Sequence, residues 1–268
     1  MSLGLFRMLP MDRVLVGIRA DRDGAWGGFH YPNQGYRHLQ MRAVITMQGP
    51  LDTGLPADPD LACLDLLRAY AHDCLHYGSY RSYRLDGDDL VRTQYGLNFR
   101  RSDGRTYSAP DHSGSPTTRN LGIVMEGACD REARLITQAA ARLCGVVRDA
   151  GMARYAYRDV TGTLDDHDQA VLDAPEARAA AAPGPEAEQY LAAMGGYERG
   201  VNARYRRFLA EVGDDEAELL HDLVLGAIIS GDLRRLSGWL DARRGPRAFV
   251  GLFRAAGYTG GRQSAVSR

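Results

Sequence analysis

Asp58-Pro59-Asp60-Leu61-Ala62-Cys63-Leu64-Asp65-Leu66-Leu67-Arg68-Ala69-Tyr70-Ala71-His72-Asp73-Cys74-Leu75-His76-Tyr77-Gly78-Ser79 is the stretch on which the reading of this chain turns. It predicts a helix over 59–79. Asp58 suits the N-cap and Pro59 the first helical position. Leu61, Leu64, Ala71 and Leu75, with Leu67 four residues before Ala71, trace an apolar stripe at helical spacing. Gly78 is placed to end the helix. His72 and His76 are four apart, so they share one helix face with Cβ atoms about 5–6 Å apart. At that separation two imidazoles reach one metal ion.

Outward from this helix, residues 13–20 (RVLVGIRA) and 41–47 (MRAVITM) read as short β-branched strands, and Gly24 to Tyr36 reads as a loop between them. Residues 80–108, punctuated by the DGDD and SDG clusters, read as a hairpin or meander of the same small sheet. A long helix is expected over 120–148, with Asn120 as its N-cap. It carries Glu126, Gly127 and Asp130. A carboxylate on a second helix is what a two-histidine site lacks for three-ligand catalytic zinc, which keeps a fourth position for water. Asp130, four residues beyond Glu126, lies on the same face and is placed to accept the second ring N–H of His72 or His76. Gly127, a glycine in a helix interior, is expected to let this helix approach the His72–His76 turn.

His72-Asp73-Cys74-Leu75-His76 resembles the His-Glu-x-x-His helix of the zincin metallopeptidases. Leu121-Gly122-Ile123-Val124-Met125-Glu126-Gly127-Ala128-Cys129-Asp130 is similar to the Asn-Glu-Gly-x-x-(Asp/Glu) stretch of bacterial gluzincins. The resemblance covers roughly residues 40–150. It implies a zincin-like α+β fold with Zn2+ held by His72, His76 and Glu126, and with Asp130 steadying a ligand histidine. It implies Asp73 as the general base of a zinc-dependent hydrolase that cleaves an amide bond in a peptide or peptide-like substrate. Two positions differ from the family. Asp73 stands where the family has glutamate, one methylene longer, and Met125 stands where it has asparagine. The shorter base keeps a second reading open, a catalytically weak or inactive zincin-fold protein serving in binding or regulation. A third is iron on the same two histidines and carboxylate.

The rest of the chain frames these expectations. From about 150 it reads as mostly helical, with a linker near 174–186 and helices over 186–211, 214–229, 232–243 and 247–256. The expected parts are thus 1–150 (zincin-like, metal-binding), 151–258 (helical) and a disordered tail at 259–268. Of 268 residues, 44% are hydrophobic and 25% charged, ordinary for a globular protein. The net charge of −1 argues against a nucleic-acid or membrane-surface partner, which needs excess positive charge. No apolar run reaches the ~18–20 residues of a membrane span, and no signal peptide is read, so a cytoplasmic protein is expected. Cys63, Cys74, Cys129 and Cys144 are expected as buried free thiols. All 33 basic residues are arginine, which excludes lysine Schiff-base and P-loop chemistry. Tyr107, Tyr155 and Tyr157 are candidates to hold an oxyanion. His30, His38, His112 and His167 are expected at loops, strand edges or the surface, and His221 at the surface or a helix cap.

Overall fold

The computed structural model describes residues 8–10, 14–17, 27–31, 36–40, 58–100, 106–182 and 184–254. The architecture is α+β: mostly helical, with two small three-stranded sheets. The expected strand at 41–47, the ends of the one at 13–20, the SDG turn at 102–104 and the tail at 259–268 lie outside the described residues. The chain divides into two compact units, each drawing mainly on two separate stretches, residues 4–77 with 130–198 and residues 78–129 with 199–268. Helices from both sides of residue 150 therefore enter the first of these.

That unit holds β1 (Val14–Gly17), β2 (Gly27–Tyr31) and β3 (Tyr36–Gln40) in the order β1-β3-β2, with β1 parallel and β2 antiparallel to β3. Strand β2 falls inside the segment expected to be loop. Its helices are α1 (Pro59–Gly78), the C-terminal half of α2 (Leu121–Cys144), α3 (Gly151–Thr161), α4 (Asp166–Asp173), α5 (Pro175–Ala181) and α6 (Pro185–Tyr197). Helix α1 starts as its sequence predicts, with the Leu61 N–H donating to Asp58 Oδ1 at 3.1 Å. Arg148 grips the same carboxylate through Nε at 2.6 Å and Nη2 at 2.7 Å. That grip holds the Asp58 carboxyl below the usual carboxylate range, against the effect of its partial burial. Leu61, Leu64, Ala141, Val160, Leu172, Leu191 and Met194 form the apolar core, with Tyr155 and Tyr190.

The expected linker at 174–186 is instead largely helix. Pro175 and Pro185 each stand in the first turn of a helix, where the missing N–H is no loss. Ala182 between them is buried in the core. Helix α2 begins on Asn120, whose Oδ1 accepts from the Gly122 N–H at 2.8 Å, and stops at Cys144 rather than 148. There Gly145 takes a left-handed φ of 66°.

The other unit holds β4 (Arg81–Asp86), β5 (Asp89–Tyr95) and β6 (Asn98–Phe99), an antiparallel meander that is a sheet of its own rather than part of the first. With it go the N-terminal half of α2, most of a π-helical turn (Glu198–Asn202) and helices α7 (Ala203–Gly213), α8 (Ala217–Ser230), α9 (Arg234–Arg244) and α10 (Ala248–Arg254). The meander is tied to the C-terminal end of α8. The Tyr80 N–H donates to the Ile228 carbonyl at 2.9 Å, and Gln94 Nε2 donates to the Gly231 carbonyl at 3.0 Å. Gly231, at φ 72°, lies under the Tyr80 ring, where a Cβ would come within 2.3 Å of Cδ1. The β5–β6 turn sits on α2, with Gly96 against the Met125 side chain. Two of the cysteines depart from expectation: Cys74 and Cys129 are buried, but Cys63 and Cys144 are exposed.

Candidate metal centre

The last turns of α1 carry His72 and His76, and the second turn of α2 carries Glu126. One potential ligand atom from each of the three lies within 4.8 Å of the others, so the group can hold a metal ion. A tetrahedral zinc bound at about 2.0–2.1 Å separates its ligand atoms by about 3.3 Å, so closure asks each side chain for a shift on the order of 1 Å. The two imidazoles have ring centroids 4.6 Å apart, inclined by 59°. His76 is buried, while His72 and Glu126 keep partial access to solvent. Two neutral nitrogens and one carboxylate suit zinc, and equally a non-heme iron.

Asp130, one turn after Glu126, is buried and its Oδ1 lies 3.6 Å from His72 Nδ1, just beyond hydrogen-bond length. What positions it has almost no trace in the sequence. Its Oδ1 accepts from Arg68 Nη2 at 2.7 Å, and its Oδ2 pairs with Arg134 Nε at 2.8 Å. Arg134 reaches two further carboxylates, Asp159 through Nη2 at 2.7 Å and Glu198 through Nη1 at 3.0 Å. Burial resists ionisation of Asp130, but the two guanidinium groups prevail and hold its carboxyl well below the usual range. Asp159 goes the other way, since burial raises it despite the same two arginines. The one sequence signal for this network is the four-residue spacing of Asp130 and Arg134 on α2.

Asp73, the residue expected as base, is buried at 2% exposure. Cys74 packs away from the centre, with its Sγ accepting the Leu9 N–H at 3.4 Å, and Cys129 is buried. Tyr107 is exposed, Tyr155 belongs to the apolar core of its own unit, and Tyr157 is half-buried against that core. His112 and His167 are exposed, as expected. His30 and His38 lie in strands β2 and β3. His221 is neither a surface nor a capping residue: it is buried, and its Nδ1 meets the Tyr205 hydroxyl at 2.8 Å.

The role expected of Gly127 is corrected in the same place. A Cβ there would stand 2.5 Å from Tyr205 Cβ and 2.7 Å from its Cγ, so the glycine makes room for Tyr205. Gly127→Ala is expected to lower stability by about 1–3 kcal/mol through overpacking, beyond any gain in helix propensity. Its metal content should equal that of the wild type. Urea unfolding and metal analysis of one preparation check both halves.

No protein-family model, curated protein or solved structure matches the chain. Among the described residues, no helix is long and apolar enough to cross a membrane.

Proposed function

We propose that this chain is a zinc-dependent hydrolase that cleaves an amide bond in a peptide or peptide-like substrate. The observation that carries the reading is the convergence of His72, His76 and Glu126 from two helices. His72 and His76 would hold the metal as neutral imidazoles, and Glu126 as a carboxylate. When bound, zinc supplies a Lewis acid and a water acidified to a pKa of about 7. Asp130, fixed by Arg68 and Arg134, orients the His72 ring. Asp73, directly after His72, would take the proton of the attacking water on its carboxylate and return it to the leaving amine.

A second reading, a metal-binding protein without catalysis, draws on the burial of Asp73 and on its short side chain. A misplacement of about 1 Å in a base can lower the rate roughly 100-fold.

Metal analysis of protein purified without added metal, followed by cleavage assays on a peptide library, tests both. Near-stoichiometric zinc is expected in the wild type. It should fall sharply in His72→Ala, His76→Ala and Glu126→Ala and survive Asp73→Ala, which should lose cleavage alone. Zinc content untouched by Glu126→Ala would overturn the ligand set. Iron in place of zinc would overturn the hydrolase. A wild type that binds zinc and cleaves nothing, with activity appearing in Asp73→Glu, would establish the second reading.

A further inference from the structure

Strand β4 stands at one edge of its sheet, with β5 as its strand neighbour among the described residues. The two are joined by the turn Gly87-Asp88, and Asp86 faces Asp89 as the closing pair. In a hairpin with a two-residue turn the closing pair exchanges both ladder bonds, and bonded and non-bonded pairs alternate away from it. Arg84 with Val91 is thus a bonded pair, and Leu85 with Leu90 is a non-bonded one. The N–H and C=O of Leu85 therefore point away from β5, out from the edge of the sheet. Strand alternation puts the side chains of Tyr83, Leu85 and Leu90 on one face and those of Arg84, Asp86 and Asp89 on the other.

Left open, this edge is unfavourable on both faces. Leu85 is 76% exposed, Leu90 opposite it 66%, and Tyr83 46%. An edge strand flanked by exposed apolar side chains is a template for another strand. On the other face Asp86 and Asp89 stand directly opposite each other, a destabilising like-charge pair. Arg84 answers it from along the strand, with its Nη2 3.0 Å from Asp86 Oδ2. The order Arg84-Leu85-Asp86 is self-complementary. An antiparallel copy of β4, related by a two-fold axis at Leu85, sets Leu85 against its own equivalent, Arg84 against Asp86 of the second copy, and Asp86 against Arg84 of the second copy. Moving the axis by one residue either way sets arginine against arginine or aspartate against aspartate. With the axis at Leu85, four leucines form one row across the joined sheets, and each pair of aspartates gains an opposing cation.

We propose that this edge is where two copies of the chain associate, pairing β4 with β4 in antiparallel fashion about Leu85 so that the two meanders form one continuous sheet. The contact is held by backbone hydrogen bonds exchanged between the two Leu85 residues, by the row of leucines, and by two Arg84–Asp86 pairs that cross between the copies. A contact of this length is small, so the dimer is weak and forms as concentration rises. The interface does not depend on the metal centre and stands whether or not that centre is catalytic.

Sedimentation velocity of the full chain from about 5 to 500 μM, a span that brackets weak association, tests this. The wild type is expected to pass from monomer to dimer across it. Arg84→Asp sets carboxylates against carboxylates between the copies, and Asp86→Arg sets guanidinium groups against each other. Each variant alone should dimerise roughly tenfold or more weakly, since two opposite-charge pairs become two like-charge pairs. Mixed in equal amounts, the two variants should dimerise again, because every aspartate of one then meets an arginine of the other. Monomer at every concentration overturns the proposal, as does a dimer that either variant keeps at wild-type strength, or one that mixing does not restore. If either variant lowers the melting temperature, Leu85→Lys decides. It leaves the hydrogen bonds between β4 and β5 in place and sets two ammonium groups together at the axis. A dimer that persists there overturns the interface, and one that is lost supports it.

Discussion

Replacing Arg134 with methionine should destabilise the protein by about 3–5 kcal/mol, the range for removing one partner of a buried ion cluster. The arginine sits at 5% exposure and meets Asp130, Asp159 and Glu198. Without it, Asp130 and Asp159 keep Arg68, which lies 2.7 Å from the first and 3.6 Å from the second. For a chain of this size the melting temperature should drop by roughly 6–20 °C. The loss should be smaller at pH 5 than at pH 7, because in the variant the stranded carboxylates accept protons more readily than before. Urea unfolding at the two pH values reads this directly. A change below about 1 kcal/mol at pH 7 would mean that the cluster is not the buried unit described.

Asp65 gives the second large effect, with the opposite sign. Burial pushes its carboxyl up to about 6, the neighbouring Asp159 adds to the rise, and Arg68 only partly opposes it. A carboxyl raised in the folded state favours folding while it is protonated in both states. That advantage is fully present below about pH 4 and is lost as the pH climbs through 6. At neutral pH Asp65 is thus a half-buried anion that weakens the fold. Asp65→Asn should leave stability nearly unchanged at pH 4 and raise it by about 1–3 kcal/mol at pH 7. The difference between variant and wild type, measured by urea unfolding from pH 4 to 7, reads Asp65 together with its influence on Asp159. A flat difference across that range would refute the assignment.

The histidine pair is legible in the sequence because a four-residue spacing on a helix fixes neighbours without knowledge of the fold. Glu126 is legible only through a likeness to a known motif, and the structure brings it within 4.8 Å of both histidines. The caps at Asp58 and Asn120 are equally local, and both are present. The arginines around Asp130 are not legible, since charged residues on an amphipathic helix look like its wet face until another element covers them. Gly127 points correctly to a close approach but not to its partner, because a glycine records that something is near without naming it. Tyr205 comes from a helix that follows a π-helical turn at Glu198–Asn202. One such turn shifts the helical phase, so a 3.6-residue period drawn across 186–211 misassigns the faces beyond it. The alanine- and proline-rich stretch at 174–186 reads as a linker on composition, although both prolines occupy positions that open helices.

The buried cluster of Arg68, Arg134, Asp130, Asp159 and Glu198 is built on guanidinium cations, in a chain that has no lysine. A buried ammonium readily gives up its proton, whereas a guanidinium does not within the range a protein survives. The interior cations of this protein therefore have no discharged form to retreat to, and the cluster changes its charge only through its carboxylates, which take up protons in acid and give them back as the pH returns. Alkali leaves the cluster's wiring intact, and acid alone rewrites it, by neutralising carboxylates one at a time while both arginines stay charged. Because Asp130 is also the neighbour of His72, a proton taken up by its carboxylate would reach the candidate metal centre from behind.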